Sequence, residues 1–287
     1  VKINKAGIYQ LSHDQYNADP APEPSLRSSL ITTIWNHSLK HGWINHPRLN
    51  PGYKDESNNK MDHGSAAHDV LLEGGDKLAV IDGKDWRTKA AKEAKETAYA
   101  QNKIPVLKDQ AATIREMVKH VHEFISETEL AEIFTNGKPE QSIFAQYNDV
   151  WVRSRPDWLT HDRKIIIDYK TTTDANPETF ARKIVNMGYD IQAALAKLIN
   201  GRTGGPEDCQ VIFLVQETDS FECSLVGASP SIIEAGERKI DIVTQQWREA
   251  LQTGHFPGYG DRIAWAECPP WELARIEERE LQALEES

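Results

Sequence analysis

The 287-residue sequence predicts an α/β protein, a central mixed β-sheet of about five strands flanked by helices, with a helical N-terminal half. Three observations predict it. Residues 164–169 contain three consecutive isoleucines, the apolar run of a strand buried on both faces. Residues 142–147 and 150–155 alternate apolar and polar side chains around Asn148-Asp149, a hairpin signal. Beyond the strands, Phe180, Ile184, Met187, Ile191, Leu195 and Leu198 recur at steps of three and four, the period of a helix face.

In chain order, residues 17–25 hold three prolines and form an extended entry, and a helix over 26–39 follows with Ser25 as its N-cap. Pro47, Pro51, Gly52 and a run of Asn, Asp and Ser make 45–59 a loop. Helices are expected over 62–72, ended by Gly74-Gly75, and over 85–100 and 108–125. A three-strand meander (142–147, 150–155, 164–169) leads through a turn at 174–177 into a crossover helix over 180–198, with Gly188 as a kink. Strands at 211–216 and 221–226 and helices at 231–251 and 271–286 complete the chain. At ~150 residues per domain the length allows one large domain or two small ones. The order of elements favours one domain over 1–287: a mainly helical part to 135, a sheet core over 136–228 and C-terminal helices from 229.

The formal charge of −11 argues against a protein that coats nucleic acid through bulk charge, and leaves a local basic channel open. No apolar run approaches the ~20 residues of a spanning helix, so no membrane partner is expected. Val1 to Gln10 lack the basic-then-apolar pattern of a secretory signal, which makes a cytoplasmic location the expectation. Cys209, Cys223 and Cys268 are odd in number and widely spaced, unlike a disulfide framework or a four-thiolate site.

The stretch that carries chemistry is Arg155-Pro156-Asp157, ten residues, then Asp168-Tyr169-Lys170. Side chains two apart on a strand share a face, so Asp168 and Lys170 point together and Tyr169 points away. Antiparallel pairing brings the Asp157 carboxylate beside that of Asp168. Two converging carboxylates suit a hard cation such as Mg²⁺, and a lysine beside it can position a water or offset charge on a phosphate. Glu140, just before the first strand, extends the acidic cluster. A lone Asp-x-Lys is also what solvated surface charges produce; its place at the end of a very apolar strand, where an ionisable pair costs desolvation, favours function. Spacing alone reaches metal-dependent hydrolysis and no further.

The run RPDWLTHDRKIIIDYKTT resembles the core of the PD-(D/E)xK nuclease superfamily, a restriction-endonuclease-like fold, with Pro156-Asp157 and Asp168-Tyr169-Lys170 as its motif halves. DHGSAAHDVLLEG, around His68, and the helix bearing Gln192 are similar to the RecE-type and lambda-exonuclease-type branch, related to the nuclease domain of RecB. The similarity spans residues 22–196. It implies Asp157 and Asp168 as metal ligands, His68 as a further ligand, Tyr169 through its backbone carbonyl, Lys170 as catalytic base or electrostatic catalyst, and Gln192 in the site. Glu140 resembles an acidic residue near a second metal position. On spacing alone His63 and His68 read equally as surface or core residues. The cofactor implied is Mg²⁺, with Mn²⁺ able to substitute.

The resemblance further implies a processive 5′→3′ exonuclease on double-stranded DNA ends in phage-type homologous recombination. It also implies a ring-shaped homo-oligomer, trimer or tetramer, and a single-strand annealing recombinase as partner. One departure bears on turnover. These nucleases commonly carry Gln-x-x-x-Tyr, and this chain has Gln192 followed by Ala196. Residues i and i+4 share a helix face, so both are expected to look toward the site. The alternative is accordingly a DNA-end-binding or assembly module with the nuclease fold and little turnover. The iron–sulfur branch of the superfamily needs four cysteines, which this chain does not have.

Residues 141–205 hold nine Lys/Arg against seven Asp/Glu, +2, so the remainder carries −13. Arg153, Arg155, Arg182, Lys183 and Lys197 are the candidate DNA contacts in this less acidic segment. Trp35, Trp43 and Trp86 are read as core residues in preference to base-stacking ones. The stretch 267–287, seven Asp/Glu against two Arg, either repels DNA from the outer surface, packs on a neighbouring subunit or is a solvated amphipathic helix.

Overall fold

The structure, a computed structural model, describes residues 2–54, 63–75, 77–101 and 103–285. The end of the expected 45–59 loop, Asp62 and the last residue of the terminal helix lie outside the described residues. The chain runs β1 (Gly7–Tyr9), α1 (His13–Asn17), β2 (Leu26–Arg27), α2 (Ser28–Asn36), α3 (Leu39–Ile44) and α4 (His63–Glu73). Next come β3 (Leu78–Ile81), α5 (Lys89–Ala100), β4 (Ile104–Leu107) and α6 (Lys108–Ser126). The centre consists of β5 (Gly137–Pro139), β6 (Ser142–Tyr147), β7 (Val150–Ser154), β8 (Trp158–Thr160) and β9 (Ile165–Thr172). It closes with α7 (Pro177–Asn186), α8 (Tyr189–Arg202), β10 (Gln210–Glu217), β11 (Cys223–Gly227), α9 (Pro230–Thr253) and α10 (Pro270–Glu285).

The mixed sheet has five strands in the order β11-β10-β9-β8-β5. β9 and β10 pair parallel across the α7–α8 crossover, and the other neighbours pair antiparallel. The β6–β7 hairpin turns at Asn148 and Asp149, both with positive φ (49° and 61°), as its turn sequence predicts. That hairpin does not continue into β9 as a meander. It belongs to a second sheet, β1-β6-β7-β2, because the ladder ends at Arg155-Pro156-Asp157 and proline has no amide hydrogen to extend it. The first half is also less helical than expected. β1 to β4 are two to four residues long, too short for an alternation to be read in sequence.

Two helix starts differ from expectation. α2 begins at Ser28 with Arg27 in the cap position, because Leu26 and Arg27 pair with β7 and Ser25 hydrogen-bonds elsewhere. The 180–198 helix is two helices: Gly188 adopts φ +73°, ending one and opening the other. A Cβ there would lie 2.5 Å from Thr32 Oγ1.

Alternation along β9 assigns its side chains to two cores. Ile166 joins Val211, Phe213 and Val215 of β10 in a cluster with residues of α2, α8 and α9. Ile167 and Tyr169 join Leu214, Trp158 and the apolar faces of α4 and α6, including Ala67, Leu71, Ile114 and Val121. Asp168 and Lys170 therefore stand on the α8 side of the sheet. α8 packs closely on α9 at Gly236, where a Cβ would come within 2.2 Å of the Asp190 carbonyl. α10 buries none of its residues. Among the described residues no helix is long and apolar enough to cross a membrane.

Candidate active site

The register of β8 on β9 sets Trp158 opposite Ile167 and Leu159 opposite Ile166, so one further step places Asp157 across from Asp168. Asp157 Oδ2 accepts the Tyr169 backbone N–H at 2.7 Å, which fixes one oxygen and leaves Oδ1 turned to α4. From α4, His68 Nε2 lies 3.0 Å from Asp157 Oδ1 and 3.4 Å from Glu140 Oε1. One ligand atom from each of His68, Glu140 and Asp157 falls within 4.8 Å of the others. Glu140 holds φ +53° between β5 and β6, its N–H donating to the Asp157 carbonyl at 3.1 Å. A non-glycine residue in the left-handed region is uncommon, and here it aims a carboxylate at the cluster. Its other oxygen pairs with Arg155 Nε.

A second row lies alongside on β9 and α8. Lys170 Nζ pairs with Asp168 Oδ1, and Gln192 Nε2 donates to Asp168 Oδ2. Tyr169 faces the other core as alternation predicts, its hydroxyl donating to Gln216 Oε1 at 2.5 Å. Asp168 is thus engaged by Lys170 and Gln192, next to the three-residue group but not within it.

Burial and mutual charge set the protonation of these groups. Burial pushes the Asp168 carboxyl up and the Asp157 charge adds to this against Lys170, bringing it to about 6. Burial opposes charge on Asp157 as well, but His68 and Lys170 hold it below the usual carboxylate range. Burial disfavours the His68 imidazolium, yet Asp157, Glu140 and Asp168 outweigh this and raise it to about 9. Lys170 is likewise raised despite burial, by Asp168 and Asp157. At neutral pH a protonated histidine therefore stands where its Nε2 meets two carboxylates. Oxygens from Glu140 and Asp157 with one imidazole nitrogen form a donor set that a hard divalent cation accepts once that proton leaves.

Several expected residues lie elsewhere. Arg153 is fully buried and pairs with Asp19 at 2.8 Å, so it is a core residue and not a DNA contact. Lys197 donates to the Cys209 carbonyl at 2.9 Å, beside the start of β10 and five residues along α8 from Gln192; it is not brought to the site. Ala196 is packed in the core and does not look into the site. Arg182 is exposed on α7, and Lys183 donates to Thr172 Oγ1 at 2.5 Å, just past Lys170. The three tryptophans are not core residues: Trp35 is 43% exposed, and Trp43 and Trp86 are partly exposed beneath Lys40 and Lys95. Tyr189 is the residue that motif spacing missed. Its ring centroid lies 4.6 Å from Lys170 Nζ, and its only signal in sequence is that it stands three residues before Gln192.

A mixed sheet with Asp157 immediately before β8, Asp168 and Lys170 on the adjacent β9, helices on both faces and an imidazole from an early helix defines the PD-(D/E)xK class of α/β domain. The chain belongs to the PDDEXK-like domain family of unknown function DUF3799, whose family model matches residues 46–268 and so includes every residue of the cluster. Among solved structures, a candidate exonuclease from Eubacterium rectale shares the fold at 12% identity and a TM-score of 0.57, with 92% of this chain and 98% of that one covered. A phage-related exonuclease from Haemophilus somnus 129PT is 14% identical over 69% of this chain and all of its own, with a TM-score of 0.30. No curated protein matches the chain.

Proposed function

We propose that the protein is a Mg²⁺-dependent exodeoxyribonuclease that degrades double-stranded DNA processively from 5′ ends. The observation that carries this reading is the His68, Glu140 and Asp157 group within 4.8 Å, flanked by Asp168, Lys170 and Gln192. The first three residues hold the cation, with Asp168 and the Tyr169 carbonyl as further oxygens. Bound there, the cation supplies Lewis-acid stabilisation of the phosphate and a water of lowered pKa. Lys170 presents its ammonium to the phosphate, and Gln192 keeps Asp168 oriented toward Lys170. Arg182 and Lys183 attract the backbone on the approach to the site, while Arg155 is held inside the cluster by Glu140. Mn²⁺ substitutes because the donor set includes an imidazole.

The Eubacterium rectale structural neighbour, a candidate exonuclease, supports that activity. Polarity, processivity, a role in recombination, a trimeric or tetrameric ring and a single-strand annealing partner rest on the RecE and lambda resemblance. The test is an end-labelled linear duplex incubated with Mg²⁺. Release of 5′-labelled nucleotide is expected, with covalently closed circles resistant and Asp157→Asn or Lys170→Ala slower by ~10²-fold or more. Cleavage unaffected by Lys170→Ala overturns the reading. Retention of ends without cleavage in either metal replaces it with the end-binding module.

A further inference from the structure

We propose that Tyr189 is the positioning residue of Lys170, its ring serving as the platform that holds the ammonium beside Asp168. The inference rests on the reading of Lys170 as the residue that meets the phosphate. Lys170 is held from two sides. Asp168 pairs with Nζ from the same strand, and the Tyr189 ring lies 4.6 Å from it, within the ~6 Å over which an aromatic face attracts a cation. A lysine side chain has four rotatable bonds, so a single carboxylate does not define where its charge sits.

The ring is itself fixed. Phe180 stacks on it at 6.1 Å and Phe213 lies 5.9 Å away, so α7 and β10 pack against this half-buried residue. Tyr189 is the first residue of α8, directly after the left-handed Gly188, and Gln192 follows one turn later. Residues three apart share a helix face. One turn of helix therefore sets both restraints on the row: Gln192 on Asp168, Tyr189 on Lys170. Ala196, the other position aligned with Gln192, is closed in the core and has no part in this.

The test compares Tyr189→Phe, which keeps the ring, with Tyr189→Met and Tyr189→Leu, two ring-free variants, so that poor folding of one leaves the comparison intact. In the nuclease assay the ring-free variants are expected to lose ~10-fold or more in kcat with KM within about twofold, and Tyr189→Phe to stay within about twofold of the parent. Equal losses in all three overturn the proposal, since the hydroxyl would then be the working group; so does no loss in the ring-free pair. A melting-temperature cycle gives a readout independent of activity. Tyr189→Met and Lys170→Met are expected to be non-additive, and additivity overturns the proposal. A parent protein that does not cleave DNA but shows the coupling refutes the nuclease reading and leaves the Lys170–Tyr189 unit standing.

Discussion

Two clusters of buried charge in this molecule use the same side-chain types and end in opposite states. In the first, Asp19 accepts from Ser25 N–H at 2.9 Å and Ser25 Oγ at 2.5 Å, lies 2.8 Å from Arg153 Nη1 and 3.3 Å from His46 Nε2, and is closed from solvent. In the second, Glu140, Asp157 and Asp168 face His68, Lys170 and Arg155, and the His68 side chain keeps 27% of its surface exposed. The Tyr16 ring touches both, 5.2 Å from the Arg153 guanidinium and 5.8 Å from that of Arg155. The first cluster is neutralised by permanent guanidinium groups, Arg153 at 2.8 Å and Arg48 at 3.6 Å. The second is neutral only while a removable proton sits on His68. A proton that solvent can reach is one that a metal ion can replace, so the first cluster is a clasp and the second a candidate metal site.

The comparison breaks most visibly at Arg153. Arg153→Met leaves Asp19 buried with only the more distant Arg48, 3.6 Å away, as a permanent cation, and unfolding free energy is expected to fall by about 3 kcal/mol, the lower end for a broken buried pair, in a urea titration. Asp168→Asn is expected to cost much less, because burial already disfavours the Asp168 charge. Equal losses would mean that the two clusters do the same job. The clasp also has its own pH signature. Burial opposes the Asp19 charge, but His46, Arg153 and Ser25 hold its carboxyl below the ordinary range. Its contribution is complete above the unfolded value of ~3.9 and lost as pH falls through the lower folded value.

At the site the sign reverses. His68 is raised to about 9 from an ordinary value of 6.5. In metal-free protein its contribution is complete below the ordinary value and lost as pH rises toward about 9, so melting temperature is expected to decline through that window. Mg²⁺ affinity is expected to change in the opposite sense, because an ion held by His68 would displace the proton. Between pH 7 and pH 9 the dissociation constant is expected to tighten by up to about tenfold per unit, ~1.4 kcal/mol, as titration calorimetry in two buffers of different ionisation enthalpy measures. An affinity flat across this range would remove His68 from the ligand set.

How far sequence reaches differs between the same two clusters. Asp157, Asp168 and Lys170 were legible because strand alternation and a ten-residue gap set their faces, and His68 and Gln192 were legible through family resemblance. The clasp was not. Its partners are separated by 128 residues between Ser25 and Arg153, and nothing local marks Arg153 as buried; by charge count it resembled a DNA contact. Ser25 was misread for the same reason, since a helix-capping serine and a serine bound to a distant carboxylate look alike in sequence. The sheet split at Pro156 and the two-residue β2 depend on tertiary pairing that short segments do not announce.

The smallest expected effect is the sharpest on geometry. Gly188→Ala adds one methyl where φ is +73° and where Thr32 Oγ1 stands 2.5 Å from the new Cβ. The left-handed backbone alone costs about 1 kcal/mol for a residue with a Cβ, and Thr32 must move as well. A shift of the first turn of α8, which carries Tyr189 and Gln192, would relieve both. Thermal unfolding is expected to drop only modestly, while turnover falls further than stability, because Asp168 and Lys170 lose their restraints together. Among the described residues no hydrogen bond or ion pair joins the clasp to Gly188 or Thr32, so the loss of melting temperature in Arg153→Met and in Gly188→Ala should add in the double variant. Strong non-additivity would show that the clasp and the start of α8 move as one unit, and would dissolve the distinction between a region that holds the fold and a region that does the work.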